Sequence, residues 1–203
     1  MSKKVKKFFG ALRIVAAQTA YQPNSDSTVA LILTAEELPG SGWKTSLRQA
    51  FPTGAFNRED PIRIRAKEIG STTVRHEFQL LSSSRALLIA VTPLASASDS
   101  ESWVANADER VARSVSKFED IREVRVIDDL SLANVGSAKG FTYTFSRPKG
   151  LRIAVAAASN YEDVFSMVTG LSFDEPWGIE EVRDIAQAQV DKIKAAKGFI
   201  LDQ

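Results

Sequence analysis

The stretch from Leu38 to Ser46, LPGSGWKTS, combines two glycines with a lysine and a threonine and so resembles a phosphate-binding loop. Such a loop has the spacing G-x-x-x-x-G-K-[ST] and connects a strand to the N-terminus of a helix. Here Trp43 separates Gly42 from Lys44, and the residues that follow alternate as in a strand. The pattern therefore argues against phosphate binding. It predicts a helix-to-strand turn with Trp43 on the core.

His76 is the only histidine, and the chain contains no cysteine. Disulfides, thiolate sites, cysteine nucleophiles and metal sites with two imidazoles are therefore excluded, and we predict no metal, no cofactor and no catalytic residue. His76 shares one face of a predicted strand with Val74, Phe78 and Leu80. This position favours a buried ring with one hydrogen-bonded nitrogen. A catalytic base is the alternative.

The acidic residues include four pairs of neighbours: Glu36/Glu37, Asp128/Asp129, Asp174/Glu175 and Glu180/Glu181. Neighbouring side chains diverge, whereas a catalytic dyad needs two carboxyl groups that converge. Three of the pairs stand near predicted helix starts, where negative charge is favoured, so we interpret them as solvated caps. Asp128/Asp129 is the pair without an explanation. Arg63 and Arg65 would clamp an anion from a strand, but they diverge on the helix that we favour.

Most aromatic residues fall on faces that the patterns assign to the core. Trp177, in DEPWG ahead of the last predicted helix, is the exception. It either rims a pocket or packs as a staple against that helix, and a pocket between sheet and helix is the default site for an apolar ligand. We therefore name Trp177, His76 and Trp43 as candidate ligand-binding residues.

Capping and alternation patterns predict the helices and strands in the first half of the chain. Thr34 and Glu37 have capping-box spacing for one helical turn, and Ser98 and Glu101 have it for a longer helix. Asp60, followed by proline, favours a helix start, although the Ile-Arg-Ile-Arg alternation would also suit a strand. The predicted elements are a strand over 43–51, a helix over 61–69, a hairpin of strands over 71–81 and 86–91, and a helix over 102–118.

For the second half, the patterns predict a short strand over 124–127, a three-stranded meander and a final helix. The meander alternates over 141–146 and 151–157, turns at Ser159 and Asn160, and runs back over 161–168. The final helix covers 179–196, with Gly198 at its C-terminal cap. Strands precede a helix twice, so we predict an α+β fold in which antiparallel sheet is covered by amphipathic helices. The domain spans 28–203, with possible halves 28–118 and 119–203.

A basic segment over residues 1–22 precedes this domain. Its first 20 residues carry five of the basic residues and no acid, so subtracting five from the net charge of +1 leaves −4 for the rest. That balance disfavours nucleic acid as a partner. Residues 1–20 either contact a membrane surface or form a first helix. Arg13 interrupts any signal peptide, and no apolar run reaches the ~20 residues of a membrane span, so we expect a soluble, cytoplasmic protein.

Two stretches carry a resemblance to a known family. ALILTAEELPGSGW near the start and WGIEEVRDIAQAQVDKI at the last helix, with the early hairpin and middle helix between them, resemble the small sensor-like and lipoprotein domains of actinobacteria. These domains are similar to the PsbP/Mog1-type α+β fold, and the resemblance spans residues 28–196. It implies a binding or accessory domain without enzymatic chemistry, and an extracytoplasmic location. It carries over no functional residue.

The leading hypothesis is a non-enzymatic domain that binds a protein partner or an apolar small molecule. It depends on the absence of any constellation of polar residues that would converge on one point. The alternative is a hydrolase or transferase that uses His76 with a partner residue not recognisable from sequence.

Overall fold

The computed structural model describes residues 25–53, 60–115, 121–127, 130–147, 150–172 and 175–201. The helices are α1 (Ser25–Val29), α2 (Pro61–Glu68), α3 (Ala97–Ala105), α4 (Ala107–Val115) and α5 (Ile179–Leu201). The strands are β1 (Trp43–Pro52), β2 (Thr72–Leu80), β3 (Ala86–Pro93), β4 (Ile121–Ile127), β5 (Ala138–Arg147), β6 (Gly150–Tyr161) and β7 (Val164–Leu171). Segment 1–22, the pair Asp128/Asp129 and the predicted helix end at Phe118 lie outside the described residues.

The strands form one sheet of seven in the order β1-β2-β3-β7-β6-β5-β4, and each described pairing is antiparallel. The apolar strand β3 lies inside the sheet, as its uninterrupted hydrophobic run predicts. It pairs with β2 in the expected hairpin and with β7 of the expected meander. The α+β class is confirmed. The division of the chain into a basic segment and one domain stays a prediction.

The two faces of this sheet are packed differently. On one, which we call the covered face, α1 lies over β2 and β3, and α5 lies over β6 and β7. Segment 31–38 joins this core, where Leu87, Ile89 and Val91 of β3 are buried. On the other, the half-covered face, α3 lies over β5 to β7 and α4 over β4. There Leu88 and Ala90 of β3 are only half-buried.

The loop that resembles a phosphate-binding loop is a turn before a strand. Gly40 and Gly42 have φ angles of 83° and 87°, a conformation that glycine adopts without strain. The indole Nε1 of Trp43 donates a hydrogen bond of 2.9 Å to the carbonyl oxygen of Pro39 and closes the turn. Lys44 is exposed on β1 and opens no helix. The predicted turn into a strand is confirmed, whereas residues 35–37 before it form a hydrogen-bonded turn instead of the expected helical turn.

Two of the predicted caps are confirmed by their hydrogen bonds. The Asp60 carboxylate accepts a hydrogen bond of 3.0 Å from the backbone N–H of Ile62 and starts α2, so this segment is a helix. The Thr34 N–H donates to Oε2 of Glu37 over 2.8 Å, as in a capping box.

The predicted helix over 102–118 is wrong in its start and its continuity. Ser96 caps α3 by accepting a hydrogen bond from the backbone N–H of Asp99, two residues before the cap expected at Ser98. The helix then breaks at Asn106, whose side chain donates over 2.8 Å to the carbonyl oxygen of Ser102. An asparagine side chain that bonds to nearby backbone in this way competes with helical hydrogen bonding. Two shorter helices result.

Two further predicted ends are wrong. Ser159 and Asn160 lie buried within β6, and the chain turns at Glu162 and Asp163 instead. The buried Asn160 amide is satisfied there, since Oδ1 accepts from the Ser137 N–H over 2.7 Å and Nδ2 donates to Ser100 over 3.0 Å. At the last helix, α5 continues through Gly198 to Leu201.

Candidate functional site

His76 lies on the covered face with 3% of its surface exposed. Its Nδ1 is 3.2 Å from the carbonyl oxygen of Leu33, and a carbonyl only accepts, so Nδ1 carries the hydrogen. The ring meets Phe78 edge-on, with 5.9 Å between centroids. Burial lowers the pKa of His76, the bond to Leu33 opposes that shift, and the neighbouring Arg48 adds to it. The neutral ring is therefore a structural hydrogen-bond donor at neutral pH.

Gln189 of α5 also bonds to the backbone of segment 31–33. It is fully buried; its Oε1 accepts from the Leu33 N–H over 3.0 Å and its Nε2 donates to the Leu31 carbonyl oxygen over 2.7 Å. Together, Gln189 and His76 satisfy backbone groups of a segment that lacks regular secondary structure. Buried backbone groups need such partners.

Trp43 and Trp177 come together at one end of the covered face. Their rings stack with 6.0 Å between centroids and an angle of 18° between planes. The Arg85 guanidinium lies 3.8 Å from the Trp177 ring centroid and pairs with Glu181 over 2.6 Å. Trp177 Nε1 donates to the Leu171 carbonyl oxygen over 3.1 Å. Trp177 is thus packed in the core of the covered face through contacts with Trp43, Arg85 and β7, and the two roles predicted for it stay predictions.

The three candidate residues predicted from sequence therefore share one face, where each is engaged by internal contacts. The stacking joins Trp43 to Trp177, whereas the ring contact described for His76 is with Phe78. Whether any of the three binds a ligand stays a prediction.

The half-covered face carries a buried charge that the sequence pattern does not reveal. Glu77 projects from β2 between Leu47 of β1 and Leu88 of β3, and only 5% of its side chain is exposed. Its Oε1 accepts from Nη2 of Arg75. Its Oε2 is buried and has no hydrogen-bond partner within the described part of the chain, and the same holds for Nε of Arg75. Buried carboxylate oxygens are normally paired, so this one requires an explanation.

The surroundings of Glu77 are apolar and only partly covered. Cross-strand partners project from the same side of a sheet, which places residues of β1, β3 and β7 around it. Half-buried apolar residues on this side include Leu47, Leu88, Ala90, Met167 and Leu171. A partly exposed apolar floor with a few fixed polar groups is the typical lining of a small-molecule site.

A second polar cluster lies where α2, α3 and α4 meet. Trp103 is 6% exposed and packs edge-on against Phe165, with 5.3 Å between centroids. The guanidinium carbons of Arg63 and Arg110 lie 5.5 Å and 4.3 Å from its ring centroid. Nε1 of Trp103 and Nε of Arg63 are buried without a hydrogen-bond partner among the residues described.

Arg65 belongs to a different contact. Its Nε donates to Oδ2 of Asp99 over 3.0 Å, and Nη2 donates to Oδ1 of the same carboxylate. This hydrogen bonding to Arg65 is the main cause that lowers the pKa of Asp99. Arg63 and Arg65 thus diverge on a helix, as predicted, and they do not clamp one anion together.

Sequence patterns predict neither polar cluster of the half-covered face, the pair of Arg75 and Glu77 or the cluster around Trp103. Arg75 and Glu77 alternate with apolar residues on β2, and that pattern ordinarily indicates a solvated face. Trp103 lies beside the apolar stripe of the predicted helix over 102–118, and such a position indicates core packing alone. The cation–π contacts of Trp103 depend on two helices, and no local signal encodes them.

Two features of the described residues bear on other kinds of site. No group of three or more histidine, cysteine, aspartate or glutamate side chains in those residues could hold a metal ion. No described helix is long and apolar enough to span a bilayer.

The chain is similar in fold to a solved mycobacterial domain. The extracellular domain of PknH from Mycobacterium tuberculosis matches with a TM-score of 0.53 at 13% identity, over 87% of this chain and 100% of that chain. A putative uncharacterized protein of Mycobacterium smegmatis, an Rv0999 ortholog, matches with a TM-score of 0.46 at 9% identity, over 76% of this chain and 90% of that chain. The sequence matches no protein-family model. It also matches no curated protein.

The sequence analysis predicted a resemblance to sensor-like domains of actinobacteria, and the similar fold of the mycobacterial PknH domain agrees with that prediction. At this level of identity the likeness concerns the fold alone. The likeness to PsbP and Mog1 stays a prediction.

Proposed function

We propose that this domain binds a small molecule with an apolar body and a hydrogen-bond donor, on the half-covered face beside Glu77. The observation that carries the proposal is the buried Oε2 of Glu77, which has no hydrogen-bond partner in the described residues. An N–H or O–H group of a ligand would satisfy this oxygen, and Leu88 and Met167 would contact the apolar body.

A protonated amine suits this position best among donors. The Glu77 carboxylate is paired with Arg75 through one oxygen only, and hydrogen bonds between charged groups are the stronger kind. The partial exposure of the floor gives such a ligand a route from solvent. We therefore favour a small ligand over the protein partner that the sequence analysis also allowed.

The alternative of a hydrolase or transferase that uses His76 stays a prediction. Its ring donates to the Leu33 carbonyl oxygen and lies beneath segment 31–38, on the side of the sheet opposite Glu77. A general base has to reach the proton that it removes. His76 in this position is not within reach of a ligand on the half-covered face.

We also propose an extracytoplasmic location. Its support is the extracellular origin of the PknH domain, whose fold is similar. The cytoplasmic location expected from sequence has no comparable support. Fractionation of the native organism with an antibody to this chain tests the proposal: recovery with the cytoplasmic proteins would contradict it. Membrane contact through residues 1–20 stays a prediction.

Dansylcadaverine is a suitable probe for the binding site because it joins an apolar fluorophore to a primary ammonium group. We expect saturable fluorescence enhancement with the full chain. Glu77→Gln keeps the shape of the side chain but removes its charge, so we expect its Kd for the probe to rise about tenfold or more. Dansylamide, which lacks the ammonium group, should bind both forms about equally.

The matched control is Glu68→Gln, which removes the same charge from an exposed position on α2. Its Kd for dansylcadaverine should remain within about twofold of the wild-type value, since a distant exposed charge is screened by solvent. Equal affinity of Glu77→Gln and wild type for dansylcadaverine would refute the site.

A further inference from the structure

The cluster around Trp103 contains more positive charge than its carboxylate neutralises. Oδ2 of Asp60 lies 2.5 Å from Nη2 of Arg110 and 3.7 Å from Nε of Arg63. The same carboxylate accepts the Ile62 N–H through Oδ1 as the cap of α2. Among the described residues, two guanidinium groups therefore share one carboxylate, which leaves an excess of one positive charge.

Hydrogen-bond donors are in excess as well. Each guanidinium has five N–H donors, and the described hydrogen bond from this arginine pair is that of Arg110 to Asp60. The buried Nε of Arg63 and Nε1 of Trp103 lack partners in the described ranges. The side chains of Arg63 and Arg110 are 28% and 21% exposed, so both are partly open to solvent.

The two arginines are also held in place. Their guanidinium groups lie against the ring of Trp103, which is fixed by its contact with Phe165. Burial lowers the pKa of Arg63 and of Arg110, and Asp60 opposes that shift in both. Prepositioned donors lose less conformational freedom when they bind a ligand.

We propose that Arg63, Arg110 and Trp103 form an anion-binding site on the half-covered face that takes an oxyanion group, such as a phosphate or carboxylate. Guanidinium forks match the paired oxygens of these groups. Arg65 has no part in the site because Asp99 occupies its fork. The inference goes beyond the proposed function, since Glu77 takes a donor and this cluster takes an acceptor of opposite charge.

The experiment is a titration of the full chain with inorganic phosphate at constant ionic strength, followed by the indole N–H signals in nitrogen-edited NMR spectra. The chain has three tryptophans, and Trp43 and Trp177 donate to carbonyl oxygens on the other side of the sheet. We expect the Trp103 signal, assigned by Trp103→Phe, to shift with phosphate while the other two stay fixed.

Two variants test the arginines. Arg63→Ala and Arg110→Ala should each raise the Kd for phosphate about tenfold or more, since each removes charge-assisted hydrogen bonds. Arg63→Lys keeps the charge but loses the fork, so it should weaken binding by a smaller factor. If Arg63→Ala fails to fold, Arg63→Lys is the variant that tests the proposal.

Lys67→Ala is the matched control, because it removes one positive charge from an exposed position of the same helix. It should leave the Kd for phosphate within about twofold of wild type. The proposal is overturned if phosphate shifts no indole signal or all three alike, or if Lys67→Ala weakens binding as much as Arg63→Ala. Failure of the Glu77 site leaves these outcomes unaffected.

Discussion

The two faces of the sheet differ in how the buried polar groups of their candidate residues are satisfied. On the covered face, Gln189, His76 and Trp177 each bond to a backbone carbonyl oxygen, and Nε of Arg85 is the described atom left without a hydrogen-bond partner. On the half-covered face, Glu77 and Trp103 retain buried polar atoms without a partner in the described residues. An unmade hydrogen bond of this kind costs about 1–3 kcal/mol. The covered face therefore contributes mainly to stability, whereas the half-covered face has unpaired polar groups beside a partly exposed apolar floor.

Addition of a single methyl group at Gly170 is the strictest test of how tightly the covered face is packed. A Cβ at this position of β7 would lie 2.5 Å from Cγ of Trp177, so the ring or the strand would have to move. We expect Gly170→Ala to lower the free energy of unfolding by about 3 kcal/mol, the upper part of the range for overpacking. Denaturant unfolding measures the change.

Gly198→Ala is the control for this substitution. A Cβ there meets nothing within 4 Å, and the residue lies inside α5. Alanine favours a helix over glycine by up to about 1 kcal/mol, so this variant should be as stable as wild type or more stable. Equal effects of the two substitutions would mean that Trp177 does not pack tightly on β7.

Gln189→Leu removes the hydrogen bonds that hold segment 31–33. The Leu33 N–H and the Leu31 carbonyl oxygen would then be buried without a partner, while leucine would add apolar contact. We expect a net loss of about 2 kcal/mol in the free energy of unfolding, measured by denaturant. Gln187→Leu is the control. Gln187 also bonds to backbone, at Ala133, but in an exposed place, so its loss should cost under about 1 kcal/mol.

The pH dependence of stability tests His76. Burial holds the folded-state pKa of His76 below the ordinary value of 6.5. At pH values near and below 6.5, the unfolded chain therefore binds more protons than the folded chain. Stability should therefore be complete above pH 6.5 and should fall as the pH decreases below it, with a slope of at most about 1.4 kcal/mol per pH unit.

His76→Gln supplies the comparison for this titration. As the chain has no other histidine, the variant should lose the dependence between pH 6.5 and 5 while keeping the acid unfolding that carboxylates cause. A wild-type stability that stays constant from pH 7 to pH 5 would show that the ring is accessible to protons in the folded state.

Sequence patterns predict what depends on neighbours along the chain. The alternation on β2 predicts the burial of Val74 and Phe78, and Asp60 followed by proline predicts the start of α2. They do not predict what depends on distant residues. Gln189 is buried because its amide reaches backbone 156 and 158 residues away. The half-covered face shows the same limit, because only the strands on either side of Glu77 make it a buried residue.

The smallest effect that we expect comes from the other face. Glu77→Gln replaces a buried carboxylate that is paired through one oxygen, and Arg75, whose side chain is 18% exposed, can turn toward solvent. Because Arg75 would then be hydrated rather than left buried without its partner, the free energy of unfolding should change by under about 1 kcal/mol in denaturant. If Arg75 stayed buried and uncompensated, the variant would instead lose about 3–5 kcal/mol. A loss of that size in Glu77→Gln would make the two faces alike and would assign Glu77 to the fold, whereas a near-neutral change leaves the carboxylate available to a ligand.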